Sequence, residues 1–150
     1  MSASTDFQDS NLHAAECLGT DGALASEVPG FAPRPQQQQM AAAVEQALNA
    51  GEALIVEAGT GTGKTYAYLV PALLSGRKVI ISTGTRHLQD QLFHRDLPTV
   101  RSALGVPLKA ALLKGRSNYL CPHRLEMTRA EGRLPSRAQV SQLETIHDWS

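Results

Sequence analysis

The chain has 150 residues, 42% of them hydrophobic and 19% charged, which suits one domain or a piece of a larger one. No apolar run approaches the roughly 20 residues of a membrane span, and no basic segment with an apolar core opens the sequence, which speaks against membrane and secreted classes. Cys17 and Cys121 are too far apart in sequence for a disulfide framework or a closely spaced metal pair, so a reduced, cytoplasmic protein is expected.

The formal net charge of zero is unevenly spread. Residues 1–30 carry Asp6, Asp9, Glu16, Asp21 and Glu27 and no Lys or Arg, whereas all 14 Lys and Arg fall in residues 31–150. A basic body is compatible with a polyanionic partner and equally with an ordinary solvated surface.

Residues 1–30 are acidic, rich in small residues and without a sustained period, which predicts a disordered leader with Cys17 as an idle thiol inside it. From Pro35 the pattern turns helical. Proline suits the first helical turn and Gly51 the stop, with Met40, Val44, Ala47 and Leu48 as an apolar stripe. Leu54-Ile55-Val56-Glu57 then reads as a buried strand that runs into the octet Ala58-Gly59-Thr60-Gly61-Thr62-Gly63-Lys64-Thr65. A helix to about Leu74 follows, with Pro71 expected as a kink or early end, and Val79-Ile80-Ile81-Ser82 reads as a second strand. Strand, glycine loop, helix and strand make a βαβ unit with a parallel pair. Thr85 can cap a further helix that Pro98 helps to end, and Ala110 to Leu113 is a third strand candidate. Pro122 to Glu131 and Ser136 to Trp149 read as two closing helices.

The octet fits the phosphate-loop pattern with one relaxation, Ala58 in place of the first glycine. Triphosphate oxygens must be held by backbone N–H groups turned into one concavity, and glycines supply the dihedrals this needs. The following helix adds its N-terminal dipole. Lys64 is then the bridge to the β- and γ-phosphates and Thr65 the Mg²⁺ ligand. Nucleoside-triphosphate binding is the firmest conclusion from the residues alone.

Glu57 to Thr65, EAGTGTGKT, resembles motif I of superfamily 2 helicases and is most similar to their iron–sulfur branch, the DinG/XPD family. Arg34-Pro35-Gln36-Gln37 with Met40 resembles the upstream element of that family. Ile81 to Thr85 with Leu88, Gln91 and Leu92 resembles its motif Ia, and Leu113 to Cys121 resembles the approach to its first cluster cysteine. The resemblance implies a RecA-like phosphate-loop domain of α/β class, with a parallel sheet between helices and the start of an inserted helical iron–sulfur domain. On that division, residues 31–113 are the first half of motor domain 1 and residues 114–150 the start of the cluster domain.

The resemblance further implies that Gln37 reads the adenine edge beside the ATP-binding octet Ala58, Gly59, Thr60, Gly61, Thr62, Gly63, Lys64 and Thr65. It places Thr83, Thr85 and Arg86 on phosphates of a single DNA strand, and it makes Cys121 the first ligand of a [4Fe–4S] cluster. Structural readings stand beside each of these: an exposed helix glutamine, a helix cap, a small buried cysteine. A four-cysteine cluster cannot be completed from Cys121 and Cys17. Hydrolysis by the family requires an acidic Asp-Glu pair, and no such dipeptide occurs in the 150 residues.

The expectation is therefore the N-terminal part of an ATP- and Mg²⁺-dependent 5′→3′ DNA helicase that acts in repair on single-stranded or forked DNA, inactive in isolation. A non-catalytic nucleotide-binding remnant is the alternative, followed by another phosphate-loop enzyme such as a small kinase.

Overall fold

The computed structural model describes residues 13–149 and divides the chain into two compact units, Met1–Ala111 and Leu112–Ser150. Helix α3, Pro35–Ala50, starts and stops where the sequence predicts. Pro35 occupies its first turn, and Gly51 closes it in the left-handed region at φ 69°. Its buried line is Gln37 and Ala41, while the expected stripe of Met40, Val44, Ala47 and Leu48 is only half-buried. Those four side chains line a shallow groove of about 320 Å³ together with Glu52, Leu54 and Val56.

Helix α4, Lys64–Leu74, packs along α3 and is the centre of the first unit, with Ala67, Leu69, Val70 and Pro71 fully buried. Pro71 does not end it. The helix runs three residues further, because the ring packs into the core, and the burial outweighs the one backbone bond that proline removes.

Residues 13–28 correct the expectation of a disordered leader there. They form α1, Ala14–Cys17, and α2, Ala23–Glu27, whose Ala14, Cys17, Leu18 and Leu24 join Ala41, Ala67, Leu69, Val70 and Val100 in one core. The part of the leader in residues 1–12 lies outside the described residues. Glu45 of α3 accepts from Ala14 N at 3.4 Å and lies 3.6 Å from His13 Nδ1, and Gln38 Nε2 donates to Leu18 O at 3.3 Å. Gly22 is obligatory between the two helices: a Cβ there would lie 2.3 Å from Glu16 O.

Cys17 is thus a core side chain at 2% exposure, and burial pushes its thiol up to about 11 from an ordinary 9.0. Its folded value is raised, so its stabilising contribution is complete below pH 9 and is lost as the pH climbs toward 11. Cys121 is exposed. Titration with a chromogenic disulfide at pH 8 should modify Cys121 promptly and Cys17 only on unfolding; equal rates would contradict this core.

Thr85 caps α5, Arg86–Gln91, by accepting from Leu88 N at 3.2 Å. The chain then widens into a π-turn at Leu92–Asp96 and continues as α6, Leu97–Leu104, so Pro98 stands at the start of a helix and not at its end. Gln91, Asp96 and Leu97 are all in the right-handed helical region, so the helical run continues from Arg86 to Leu104, and the widened turn just before Pro98 accommodates its missing N–H. Ser102 Oγ on α6 donates to Glu27 Oε1 of α2 at 2.8 Å.

No strand is formed among the described residues. The segments 54–57, 79–82 and 110–113, expected as a parallel sheet, carry no ladder and leave Ile55 98%, Ile80 91% and Leu113 81% exposed. A short apolar run becomes a strand only when another lies about 4.8 Å away to take its backbone groups, and these three do not pair with one another.

In the second unit a 3₁₀ turn, Arg116–Asn118, precedes α7, Pro122–Glu131, and α8, Arg137–Trp149. Tyr119 Oη accepts from Lys114 N at 2.9 Å, Leu125 is buried, and His147 Nε2 on α8 lies 3.5 Å from Glu126 Oε1 on α7.

Candidate nucleotide-binding site

The octet forms a loop that ends on the first turn of α4. Gly61 and Gly63 both sit at φ 79°, in the left-handed region that side chains resist, and Gly63 is the residue that caps α4. The remaining geometry is fixed by hydrogen bonds to the loop's carbonyls. Lys64 Nζ donates to Ala58 O at 2.8 Å and Gly59 O at 2.7 Å, and Thr62 Oγ1 donates to Gly59 O at 3.0 Å.

Two further donors come from the start of α3. Arg34 Nη1 donates to Gly61 O, and Gln37 Nε2 donates to Gly63 O at 2.9 Å. Gln37 is 4% exposed, unlike Gln36 and Gln39 beside it. A Cβ at Gly63 would lie 2.1 Å from Gln37 Nε2, so a side chain there would push the glutamine amide off the carbonyl; the dihedral is what requires glycine.

Thr65 begins α4 beside Lys64, so its hydroxyl and the amine leave adjacent positions of one helical turn. Burial raises the phenol of Tyr68 above its usual range, while a side-chain hydrogen bond with Thr65 pulls the other way. Among the described residues no group of three His, Cys, Asp or Glu is placed to hold a metal. One hydroxyl at a helix start does fit Mg²⁺ that arrives on phosphate and keeps most of its waters.

Of the residues expected at DNA, Thr83 Oγ1 donates to Thr85 O at 3.2 Å, Thr85 caps α5, and Arg86 is the exposed first residue of that helix. The π-turn after α5 packs on α4. It buries Asp96, which accepts from Arg95 Nε and Gln91 Nε2, each at 3.0 Å. Its charge, after burial itself, is the main influence that raises the Tyr66 phenol on α4. Nothing in the sequence singled out Asp96; its only signal was a lone acid on an otherwise apolar face.

The sequence matches a known family. The sequence model of DEAD/DEAH box helicases covers residues 34–126, from the arginine that meets Gly61, through the phosphate loop, into α7. The chain belongs to the DEAD/DEAH box helicase family. It is 59% identical over 131 residues to the ATP-dependent DNA helicase YoaA of Escherichia coli (strain K12), a match that covers 87% of this chain and 20% of that protein. For the ATP-dependent DNA helicase YoaA of Haemophilus influenzae the identity is 48% over 136 residues, covering 91% and 21%. For the ATP-dependent helicase DinG of Mycobacterium tuberculosis (strain ATCC 25177 / H37Ra) it is 49% over 111 residues, covering 69% and 17%. The chain spans about one-fifth of the length of these relatives. No solved structure matches it.

Membership in the helicase family implies a RecA-like fold. Among the described residues, no helix is long and apolar enough to cross a membrane.

Proposed function

We propose that this chain supplies the ATP-binding part of an ATP-dependent DNA helicase. The observation that carries the reading is the loop 58–65, with two left-handed glycines, that delivers Lys64 and Thr65 to the first turn of α4. Ala58, Gly59, Thr60, Gly61, Thr62 and Gly63 would wrap the triphosphate with backbone N–H groups. Lys64 would release its two loop carbonyls and turn to the β- and γ-phosphates, exchanging weak neutral acceptors for charged ones. Mg²⁺, held by Thr65 and the nucleotide, neutralises phosphate charge when bound.

The three exposed apolar segments at 54–57, 79–82 and 110–113 are read as sheet strands of the complete domain, since continuous apolar runs suit a parallel sheet covered on both faces. Thr83, Thr85 and Arg86 would meet phosphates of a single DNA strand: capping uses the Thr85 oxygen as acceptor and leaves its proton to donate. Residues 31–113 are then motor and residues 114–150 the start of an inserted domain. Cys121, exposed at the residue before α7, is the one thiolate this unit offers a [4Fe–4S] cluster. The cluster's four ligands are not met by the two cysteines of the chain.

Action on single-stranded or forked DNA with 5′→3′ polarity, in repair and in the cytoplasm, follows from the resemblance to the DinG/XPD branch. Because the Asp-Glu pair that orients the attacking water is not among these 150 residues, the chain should bind ATP and release no phosphate in response to single-stranded DNA. The whole protein should hydrolyse ATP on that DNA and unwind a duplex bearing a 5′ overhang. DNA-stimulated turnover by the chain alone, or none by the whole protein, would contradict this division.

A further inference from the structure

Asp96 is a buried acid that the nucleotide site does not use. It is 3% exposed and ends the π-turn Leu92–Asp96, which packs on both α5 and α4. Its Oδ2 accepts from Nε2 of Gln91, the last residue of α5, and its Oδ1 from Arg95 Nε, each at 3.0 Å. In a regular α-helix, residues five apart stand about 140° around the axis. The widened turn, with its i→i+5 spacing, brings Gln91 and Asp96 together. A carboxylate this buried is costly unless it is paired, so Gln91, Arg95 and the turn are held as one unit. On α4, Tyr66 and Tyr68 lie just beyond Lys64 and Thr65. Burial, and after it the Asp96 charge, raises the Tyr66 phenol; at Tyr68 burial raises it, the Thr65 hydrogen bond opposes, and Asp96 adds to the rise. At the other end of α5, Thr85 caps the helix and Arg86 opens it. Asp96 therefore joins the helix that starts at the phosphate loop to the helix whose start is read as a DNA contact.

We propose that Asp96 is a positioning residue that, through Gln91, locks α5 onto α4, so that ATP and a single DNA strand strengthen each other's binding. The proposal rests on the ATP- and DNA-binding readings above. Two anionic ligands on one domain repel each other, so any mutual strengthening has to pass through the protein. A ligand that fixes either helix also fixes the turn between them and leaves less freedom for the second ligand to remove. The effect is reciprocal, because each ligand changes the affinity of the other by the same factor.

The test is a pair of calorimetric titrations of the full chain with Mg·ATP, without and with saturating oligothymidylate. The readout is the ratio of the two ATP dissociation constants, from which any uniform change in ATP affinity cancels. The wild-type chain should bind ATP about 5-fold or more tightly with the oligonucleotide present, the low end of the usual allosteric range. Gln91→Met keeps the side-chain bulk and removes the donor at a half-buried position. It should leave ATP affinity without DNA within about 2-fold of wild type and bring the ratio to about one. Gln91→Lys, which restores a donor toward Asp96, should recover most of the ratio. Asp96→Asn should abolish it as well, with a lower melting midpoint. An intact ratio in Gln91→Met would confine the acid to a structural role and overturn the coupling. A wild-type ratio of one with both ligands bound would overturn it too. A wild-type chain that takes up no ATP contradicts the nucleotide-binding reading, and one that binds ATP but no oligothymidylate contradicts the DNA contacts. Those two results are distinct from a failed coupling, and either removes its basis.

Discussion

Replacing Lys64 with alanine should weaken ATP binding by one to two orders of magnitude, about 1.5–3 kcal/mol for a charge-assisted hydrogen bond. The structure explains why the loss should be in affinity and not in folding. Lys64 Nζ meets only the carbonyls of Ala58 and Gly59, on a loop whose glycines are exposed or half-buried. Those carbonyls can turn to water when the amine is gone, so the cost to stability is small. Thermal melts of Lys64→Ala and the wild-type chain should coincide within about 0.5 kcal/mol, the usual range for surface changes. A calorimetric titration then isolates the binding effect. An unchanged affinity would remove Lys64 from the site.

Leu18→Ala carries the second large effect, a destabilisation of about 2–5 kcal/mol. Leu18 follows α1 and is 0% exposed, in the same cluster as Leu69 and Val70 of the helix that carries Lys64. Truncation would leave a cavity at the junction of α1, α3 and α4, elements already tied by Glu45 at Ala14 and Gln38 at Leu18. A disordered leader predicts no change at all. Urea unfolding followed by circular dichroism distinguishes the two, since the midpoint falls in one case and stays in the other.

The contrast between these two residues marks what the sequence made legible. The phosphate loop is written locally: glycine spacing, Lys64, and a proline and a glycine that fence α3 from Pro35 to Gly51. Thr85 as a cap is equally local. The docking of residues 13–28 is not, because Ala14, Cys17, Leu18 and Leu24 are spread over two short helices and the segment between them, which contains Gly19 and Gly22. Neither helix is long enough to show a period, and an acidic, small-residue composition imitates disorder. Only their place in one cluster with Ala41, Ala67, Leu69, Val70 and Val100 makes them a core.

Pro71 and Pro98 were misleading for a related reason. Proline disfavours a helix through one missing donor and one clash; burial at Pro71 and the π-turn before Pro98 decide otherwise, and both are tertiary facts. The strands fail in the opposite sense. Their apolar runs are plain in the sequence, yet pairing depends on non-local partners that 54–57, 79–82 and 110–113 do not give one another. Within the site, Gln37 was visible as a residue and its contact was not: nothing local says that its amide closes on Gly63.

The central claim is that loop 58–65 binds a nucleoside triphosphate, and isothermal titration of the chain with Mg·ATP tests it most directly. The account predicts saturable binding of one ATP per chain, displaced by tripolyphosphate and weakened by one to two orders of magnitude in Lys64→Ala. A chain that melts cooperatively yet takes up no ATP at millimolar concentration would contradict it.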